Sequence, residues 1–208
     1  MIGIIDYNAG NIKSVERALQ HLNLDYKISK KPQDLVDVDR LIFPGVGEAS
    51  FAMKQLETSG FDLFIKEYAK SGKPLLGICL GSQIVLDASE EGEKSGVLVK
   101  CLGLISGTVK KFPDSLVKNG FKIPHMGWNN VSLKKECPLF DGIKKDSDFY
   151  FVHSYYLSPS NNDCLVGVAD YGMEVPCVLQ KDNIFALQFH PEKSGKDGLK
   201  IISNFAKL

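Results

Sequence analysis

The stretch Leu75-Leu76-Gly77-Ile78-Cys79-Leu80-Gly81-Ser82-Gln83 decides how this chain folds. Its first four residues form an apolar run typical of a buried strand, and residues 82–88 follow a helical pattern. Between them, residues 77–81 fit G-x-C-x-G, the thiol form of a strand-turn-helix motif that exposes a nucleophile. The two glycines remove Cβ atoms that would clash where the backbone reverses. We predict that Cys79 is a nucleophile, although the motif alone also fits a small buried cysteine between packing glycines.

Short apolar runs alternate with helical patterns on both sides of this motif. Further strands are predicted at residues 2–5, 26–28 and 41–43. Helical spacing is predicted over residues 12–22 and again over residues 56–68, where Gly60 is a predicted break. Strands that alternate with helices indicate parallel βαβ units. The predicted fold class is therefore α/β, an open, mostly parallel twisted sheet with helices on both faces. The second half is richer in strands, for which the candidates are residues 109–112, 131–133, 150–153, 166–168, 178–179 and 184–189, before a closing helix at 198–206.

The composition is that of an ordinary globular protein. The chain has 208 residues, with 25 Lys plus Arg and 25 Asp plus Glu, so the formal net charge is zero. We expect one domain over residues 1–208, and no electrostatic feature favours nucleic acid or a membrane surface. The N-terminus shows no signal-peptide pattern, and no apolar stretch is long enough to span a bilayer. Five cysteines with no C-x-x-C pair argue against disulfides and a zinc site, so we expect a cytoplasmic protein with reduced thiols, no metal and no cofactor.

A candidate base lies at the end of the last predicted strand. Residues 186–192 read Ala-Leu-Gln-Phe-His-Pro-Glu, so Glu192 can fix the tautomer of His190 and stabilise its charge, as a thiol nucleophile requires. His153, at another strand end, is the competing base. His125 falls in a loop-like segment, and His21 falls on a surface helix. We rank His190 first because only His190 has an acid within reach in the sequence.

Backbone donors for a developing negative charge are predicted beside the nucleophile. Residues 43–47, Phe-Pro-Gly-Val-Gly, follow a predicted strand, and glycines on both sides of Val46 let the loop present its N–H groups. The N–H of Leu80 follows the nucleophile directly, at the N-terminus of a helix that favours thiolate. The loop alone is weak evidence, since it also fits an ordinary strand-ending turn.

Several segments together resemble a known enzyme family. Residues 77–83 and 189–192 are similar to the class I (triad) glutamine amidotransferases. Residues 6–11 (Asp-Tyr-Asn-Ala-Gly-Asn), 44–47, 124–129 (Pro-His-Met-Gly-Trp-Asn) and 150–155 (Tyr-Phe-Val-His-Ser-Tyr) narrow the resemblance to the glutaminase subunits of imidazole glycerol phosphate synthases. The similarity runs from residue 2 to the end of the chain. It implies a flavodoxin-like class I amidotransferase fold with additional antiparallel strands in the second half.

The resemblance also implies an activity and a partner. The family splits L-glutamine into L-glutamate and ammonia, and the ammonia passes to a (β/α)8-barrel cyclase subunit in a heterodimer. There it reacts with a phosphoribosyl-formimino aminoimidazole carboxamide ribonucleotide. The products are imidazole glycerol phosphate, on the histidine pathway, and the purine precursor AICAR.

Site residues follow from the resemblance position by position. It makes Cys79 the nucleophile, His190 the base and Glu192 the residue that orients the base. The remaining matches are Val46 and Leu80 for the oxyanion hole, Gly47, Gln83, Glu91, Ser154 and Tyr155 for glutamine binding, and Asn11, Trp128, Tyr150 and Lys193 for the partner interface. Without the resemblance, Glu91 would read as part of a solvated charged loop, and Gly127 and residues 129–130 around Trp128 would read as a turn.

Other functions remain open at this stage. Ser82 stands where Met is common, residues 8–9 are Asn-Ala where Gly-Met is common, and residues 48–50 lack the frequent aromatic. These departures leave room for a paralogous amidotransferase that supplies ammonia to another synthase, such as one that amidates a surface sugar. Cysteine hydrolases and chaperone-like proteins with the same elbow lack His-Pro-Glu. A non-catalytic binding module would have no need of an intact triad.

Overall fold

A computed structural model of the protein describes residues 1–8, 11–92, 96–145 and 147–208. Ala9 and Gly10, which belong to the motif at residues 6–11, lie outside the described residues. The strands are β1 (Ile2–Ile5), β2 (Tyr26–Ser29), β3 (Arg40–Gly45), β4 (Leu75–Cys79), β5 (Ala88–Ser89), β6 (Val99–Lys100), β7 (Gly107–Lys111), β8 (His125–Asn130), β9 (Ser132–Leu133), β10 (Asp148–His153), β11 (Tyr155–Pro159), β12 (Leu165–Asp170), β13 (Glu174–Lys181) and β14 (Ile184–Leu187).

The helices lie mostly in the first half and at the C-terminus. They are α1 (Ile12–His21), α2 (Ala49–Ser59), α3 (Phe61–Lys70), α4 (Leu80–Ile84), α5 (Asp114–Lys118) and α6 (Gly195–Phe205), together with short 3-10 helices at Pro32–Leu35, Pro138–Phe140 and Pro191–Lys193. The predicted break at Gly60 separates α2 from α3, and Gly60 has φ 76°, in the left-handed region that favours glycine. No helix in the described part of the chain is both long and apolar enough to cross a membrane.

The strands form one large sheet whose order is β2-β1-β3-β4-β14-β13-β12-β9. The first five strands in this order are parallel, and β13, β12 and β9 continue the sheet antiparallel. The predicted α/β class, a mostly parallel sheet with antiparallel strands added by the second half, is confirmed. The parallel part places the carboxyl ends of β3, β4 and β14 beside one another.

Apolar side chains cover both faces of the parallel strands, and this explains why these strands read as continuous apolar runs. Successive residues of β3 alternate between the two sides, since Leu41 and Phe43 join the core against α2 and α3 while Ile42 joins the core against α1 and α6. All three are fully buried. The alternation fixes the register, because a shift of one residue would exchange the two faces.

Two smaller sheets lie beside the main one, and here the sequence predictions were partly wrong. The predicted helix 82–88 ends at Ile84, and Ala88 instead pairs with Thr108 and Lys100 in the sheet β11-β7-β5-β6. The segment from His125 to Asn130, which reads as a loop and a turn, is strand β8, and it pairs antiparallel with β10. Both errors have one cause, since the hydrogen bonds that define these strands come from segments distant in the sequence.

We predict that Phe205→Ala lowers the free energy of unfolding by about 3–5 kcal/mol. Phe205 is fully buried in α6 and contacts Phe185 edge-on at 6.5 Å between ring centroids, so its removal leaves a cavity. Phe51→Ala removes the same atoms from α2, where Phe51 is 51% exposed, and should change stability by less than about 1 kcal/mol. Urea unfolding followed by circular dichroism measures both. Equal losses in the two variants would contradict the assignment of the core.

Candidate active site

The carboxyl ends of β3, β4 and β14 carry the residues that the sequence assigns to catalysis. Cys79 is the last residue of β4 and Leu80 is the first of α4. Gly45, at the end of β3, pairs directly with Cys79. His190 follows shortly after the end of β14. Ligands of open α/β sheets bind at this edge, outside the carboxyl ends of the strands.

The turn at Cys79 is tight and requires a glycine on each side. Cys79 has φ 54° and ψ −110°, a left-handed φ that is uncommon for a residue with a side chain. A Cβ on Gly81 would lie 1.9 Å from the carbonyl oxygen of Phe43, and one on Gly77 would lie 2.8 Å from that of Gly81. Neither contact is possible without backbone movement. The geometry agrees with the steric reason for the G-x-C-x-G spacing.

His190 and Glu192 form a buried pair beside Cys79. The Nδ1–H of His190 donates to Glu192 Oε1 at 2.8 Å, and the side chains are 2% and 1% exposed. Burial lowers the pKa of His190, but hydrogen bonding to Cys79 and Glu192 and their negative charges raise it to about 10. Within the described part of the chain Nε2 has no hydrogen bond of normal geometry, so its contact with Cys79 is longer or less well aligned than an ordinary hydrogen bond. The pair therefore favours an imidazolium that can give up a proton.

The backbone of His190 is held by strand β10. The backbone N–H of His190 donates to the carbonyl of Tyr150, in β10, at 2.9 Å. The hydroxyl of Ser194 donates to the His190 carbonyl at 2.6 Å and accepts the N–H of Tyr150 at 2.9 Å. Ser194 is buried and was not predicted as a site residue. Its only sequence signal is its position directly after the His-Pro-Glu-Lys segment.

A cavity of about 380 Å³ joins these residues. It contains Cys79 and His190, both residues predicted for the oxyanion hole and all five predicted for glutamine binding; its lining is Val46, Gly47, Cys79, Leu80, Gln83, Glu91, Pro124, Val152, His153, Ser154, Tyr155 and His190. Gly47 has φ 103°, which a glycine adopts without strain. Residues from distant parts of the sequence thus meet in one pocket of the size that holds a small ligand.

Two buried side-chain amides form a hydrogen-bonded pair beside this cavity. Gln83 Nε2 donates to Gln188 Oε1 at 3.0 Å and to the Tyr155 carbonyl at 3.0 Å. Gln188 is fully buried, and the sequence reading did not single it out. It stands two residues before His190 at the end of the same apolar strand, where a buried polar residue is a signal in itself.

Glu91 carries an unusual carboxyl group at the rim of the cavity. Burial raises its pKa to about 7, the N–H of Ala49 at 3.0 Å opposes this rise, and the charge of Glu48 adds to it. With a pKa of about 7, Glu91 changes its protonation state close to neutral pH. A cationic group that enters the cavity would favour the ionised carboxylate.

The other histidines differ from His190. His153, the competing base, also lines the cavity, but burial lowers its pKa to about 3. His125 is buried as well, and burial lowers its pKa to about 4. His21 is exposed on α1, as the sequence predicts. His190 is thus the imidazole in this cavity whose surroundings favour the protonated state.

Three of the four residues predicted for a partner interface form one surface cluster. Trp128 and Tyr150 pair across β8 and β10, and their rings meet edge-on at 6.1 Å between centroids. The Lys193 ammonium lies 6.0 Å from the Tyr150 ring centroid. Trp128 is 58% exposed, which leaves a large aromatic surface open to solvent. Asn11 precedes α1, a helix that packs against the 3-10 helix containing Lys193.

Comparisons with known proteins show which family and fold the chain shares. Residues 3–208 match the family model described as glutamine amidotransferase class-I. The chain is 50% identical over 208 residues to the imidazole glycerol phosphate synthase subunit HisH of Methanocaldococcus jannaschii, and 46% identical over 212 residues to subunit HisH 1 of Methanococcus maripaludis, with 100% of each chain covered. A solved structure of a glutamine amidotransferase has the same fold, with a TM-score of 0.74 at 17% identity over 100% of this chain and 99% of that one.

We predict that Glu192→Gln lowers the pKa of His190 by about 1–3. The carboxylate favours the imidazolium, so its loss means that His190 gives up its proton at a lower pH than in the unsubstituted protein. Histidine ring signals followed by NMR between pH 6 and 11 measure the change. Glu174→Gln removes the same charge from an exposed ion pair with Lys134 and should leave His190 unaffected. An unchanged pKa in Glu192→Gln would contradict the ion pair.

Proposed function

The chain belongs to the glutamine amidotransferase class-I family, and we propose that it is the glutaminase subunit of an imidazole glycerol phosphate synthase. One observation carries this proposal: Cys79 and His190 share a cavity of about 380 Å³ with the candidate glutamine-binding residues, and Glu192 accepts a hydrogen bond from Nδ1–H of His190. Relatives named as subunits of imidazole glycerol phosphate synthase align with this chain over its whole length. We propose that residues 1–208 act as a single amidotransferase domain in the cytoplasm, where its five free cysteines stay reduced.

The proposed reaction begins at Cys79. Its thiolate forms a bond to the carbonyl carbon of the glutamine side chain, and the N–H groups of Val46 and Leu80 hold the oxyanion. The C–N bond then breaks while the His190 imidazolium gives its proton to the departing nitrogen, which leaves as ammonia. Neutral His190 next takes a proton from water, and the oxygen of that water attacks the thioester. Thiolate leaves, and glutamate is released.

The raised pKa of His190 suits the first half of this cycle. An imidazolium is present near neutral pH before glutamine arrives, so the proton for ammonia is already in place. Glu192 keeps Nδ1 protonated and leaves Nε2 for the chemistry. We further propose that Gly47, Gln83, Glu91, Ser154 and Tyr155 hold the substrate, with Glu91 paired to its ammonium group.

The proposed partner is a (β/α)8-barrel cyclase subunit in a heterodimer. The cluster of Trp128, Tyr150 and Lys193 supplies the exposed aromatic surface that such an interface needs. Its strand β10 also holds His190, so the interface and the site share one element. Ammonia made at Cys79 would pass to the cyclase for the synthesis of imidazole glycerol phosphate and AICAR.

The test measures glutamate release from glutamine by the purified chain, first alone and then with the barrel cyclase and its nucleotide substrate. We expect strong stimulation by the cyclase and nucleotide together. If the cyclase gave no stimulation while a glutamine-like electrophile still labelled Cys79, the chain would be a glutaminase that serves another synthase.

We predict that Cys79→Ala reduces stimulated glutamate release by roughly a thousandfold or more, because the nucleophile is lost. Cys164→Ala makes the same change in a cysteine outside the cavity and should retain the activity of the unsubstituted complex. A coupled glutamate assay compares the two variants. Substantial activity in Cys79→Ala would rule out the proposed nucleophile.

We predict that Trp128→Ala weakens binding of the barrel subunit by about 2 kcal/mol, roughly thirtyfold in Kd. The exposed indole is the largest apolar group of the surface cluster. Leu63→Ala truncates a residue on α3 that is 66% exposed and should leave the Kd unchanged. Titration calorimetry measures both. Equal Kd values for the two variants would place the interface elsewhere.

A further inference from the structure

A pair of histidines lies beside the catalytic residues and has no part in the proposed reaction. His125 of β8 and His153 of β10 are directly opposite each other in the antiparallel pair. Nδ1 of His125 is 3.0 Å from Nε2 of His153, and the two residues are 2% and 6% exposed. A buried contact between two imidazoles requires that one ring donates and the other accepts.

The neighbours of the pair fix which ring donates. Nδ1 of His153 is 2.8 Å from the carbonyl oxygen of Tyr155, and because a carbonyl only accepts, this nitrogen carries the proton. Nε2 of neutral His153 is then an acceptor, so Nδ1–H of His125 donates to it. Nε2 of His125 accepts in turn from Nδ2 of Asn129 at 3.2 Å.

The amide of Asn129 is itself held in one orientation. Its Oδ1 accepts the N–H of Asn130 at 2.8 Å, and its Nδ2 donates to the carbonyl of Asp170 at 2.9 Å. Asn129 therefore presents a donor to His125. All these hydrogen bonds are satisfied when donation runs in one direction, from Asn129 through His125 and His153 to Tyr155.

The surroundings keep both rings neutral. His125 is stacked between Phe151 at 4.7 Å and Tyr171 at 4.0 Å between ring centroids. Phe112 lies 5.3 Å from His153, and the charge of nearby His190 opposes a second cation. Burial lowers the pKa of His125 to about 4 and that of His153 to about 3. A proton added to His153 at Nε2 would also face the donor of His125 instead of an acceptor.

This series of hydrogen bonds ends in the wall of the cavity. The Tyr155 carbonyl accepts from His153 Nδ1–H and from Gln83 Nε2–H, at 2.8 and 3.0 Å. Two donors from different elements thus fix the backbone at Ser154 and Tyr155, and both residues line the cavity with Cys79. Loss of one donor leaves the Tyr155 carbonyl with only the side-chain hydrogen bond from Gln83 and so weakens the hold on this part of the pocket wall.

We infer that His125, His153 and Asn129 are positioning residues, a neutral hydrogen-bonded chain that holds the Ser154–Tyr155 wall in the geometry that binds glutamine. The inference rests on the proposed function, because it takes this cavity to be the glutamine site. His153 is then no general base, although it lies in the cavity with the nucleophile. Its loss should affect substrate binding more than the chemical step.

The test compares two variants of nearly equal size in the complex with the barrel cyclase and its nucleotide. His153→Leu removes the donor to Tyr155 and should raise KM for glutamine about tenfold, with kcat within about twofold of the unsubstituted complex. His153→Asn places an amide nitrogen near the position of Nδ1 and should recover most of that loss. His21→Asn makes the same change at an exposed histidine and should leave both constants unchanged.

Two kinetic outcomes would overturn the inference. A large fall in kcat at unchanged KM would make His153 part of the chemistry. Identical KM values for the Leu and Asn variants would show that the side chain only fills space. Activity of the unsubstituted complex tests the proposed function separately, since it depends on none of these variants.

A second measurement decides the matter if His153→Leu does not fold. ¹⁵N NMR of the histidine rings in the unsubstituted protein should show that His125 and His153 carry the proton on Nδ1 and have an unprotonated Nε2. Neither ring should titrate between pH 5 and 9. A proton on Nε2 of either ring, or titration of either ring in this range, would contradict the neutral hydrogen-bonded arrangement of His125 and His153. This readout requires neither glutamine nor partner.

Discussion

The contact between Gly81 and the Phe43 carbonyl is the constraint on which the rest of the site depends. A Cβ at Gly81 would lie 1.9 Å from that oxygen, so only glycine lets α4 begin this close to β3. Cys79, two residues before this close approach, has a left-handed φ of 54°, a strained conformation that persists only where the surroundings determine it. The parallel pairing of β4 with both β3 and β14 supplies those surroundings. Strain at one residue is thus held by strands in the interior of the main sheet, and Cys79 lies where it lines the cavity.

Strand β10 connects the site to the exposed aromatic cluster. Its residue Tyr150 holds the backbone of His190 through its carbonyl and, by way of Ser194, through its N–H, while its ring packs against Trp128 on the outer surface. The next residues along the strand bring Val152 and His153 to the cavity. A small movement of β10 therefore reaches the outer surface, the base and the pocket wall together. Strand β10 is therefore the element through which the surface proposed as an interface meets the proposed active site.

The sequence predicted the parts of the molecule that local patterns determine. Continuous apolar runs gave the parallel strands, because both faces of the sheet are covered, and the glycines around Cys79 gave the turn. The sequence did not predict strand β8, since Gly127 and Asn129 are typical of turns and the pairing of β8 comes entirely from β10. It missed Gln188 and Ser194 for a related reason, because their partners are remote in the sequence. All the roles assigned to site residues stay predictions, those of Cys79, His190 and Glu192 in catalysis as much as those of the residues for the oxyanion hole, glutamine binding and the interface, because they concern states with a substrate or partner bound.

His190 and His153 show how two imidazoles in one cavity acquire opposite characters. Both follow or end a strand and both are buried, so burial disfavours the charge on each. The difference lies in the group that Nδ1 contacts. For His190 it is the carboxylate of Glu192, and the hydrogen bonding and negative charge of Cys79 and Glu192 together outweigh burial and raise the pKa to about 10. For His153 it is an uncharged carbonyl, while Nε2 faces another imidazole, and the pKa falls to about 3. A neighbouring cysteine and an acid two residues after the histidine thus act together to keep a proton on a buried imidazole.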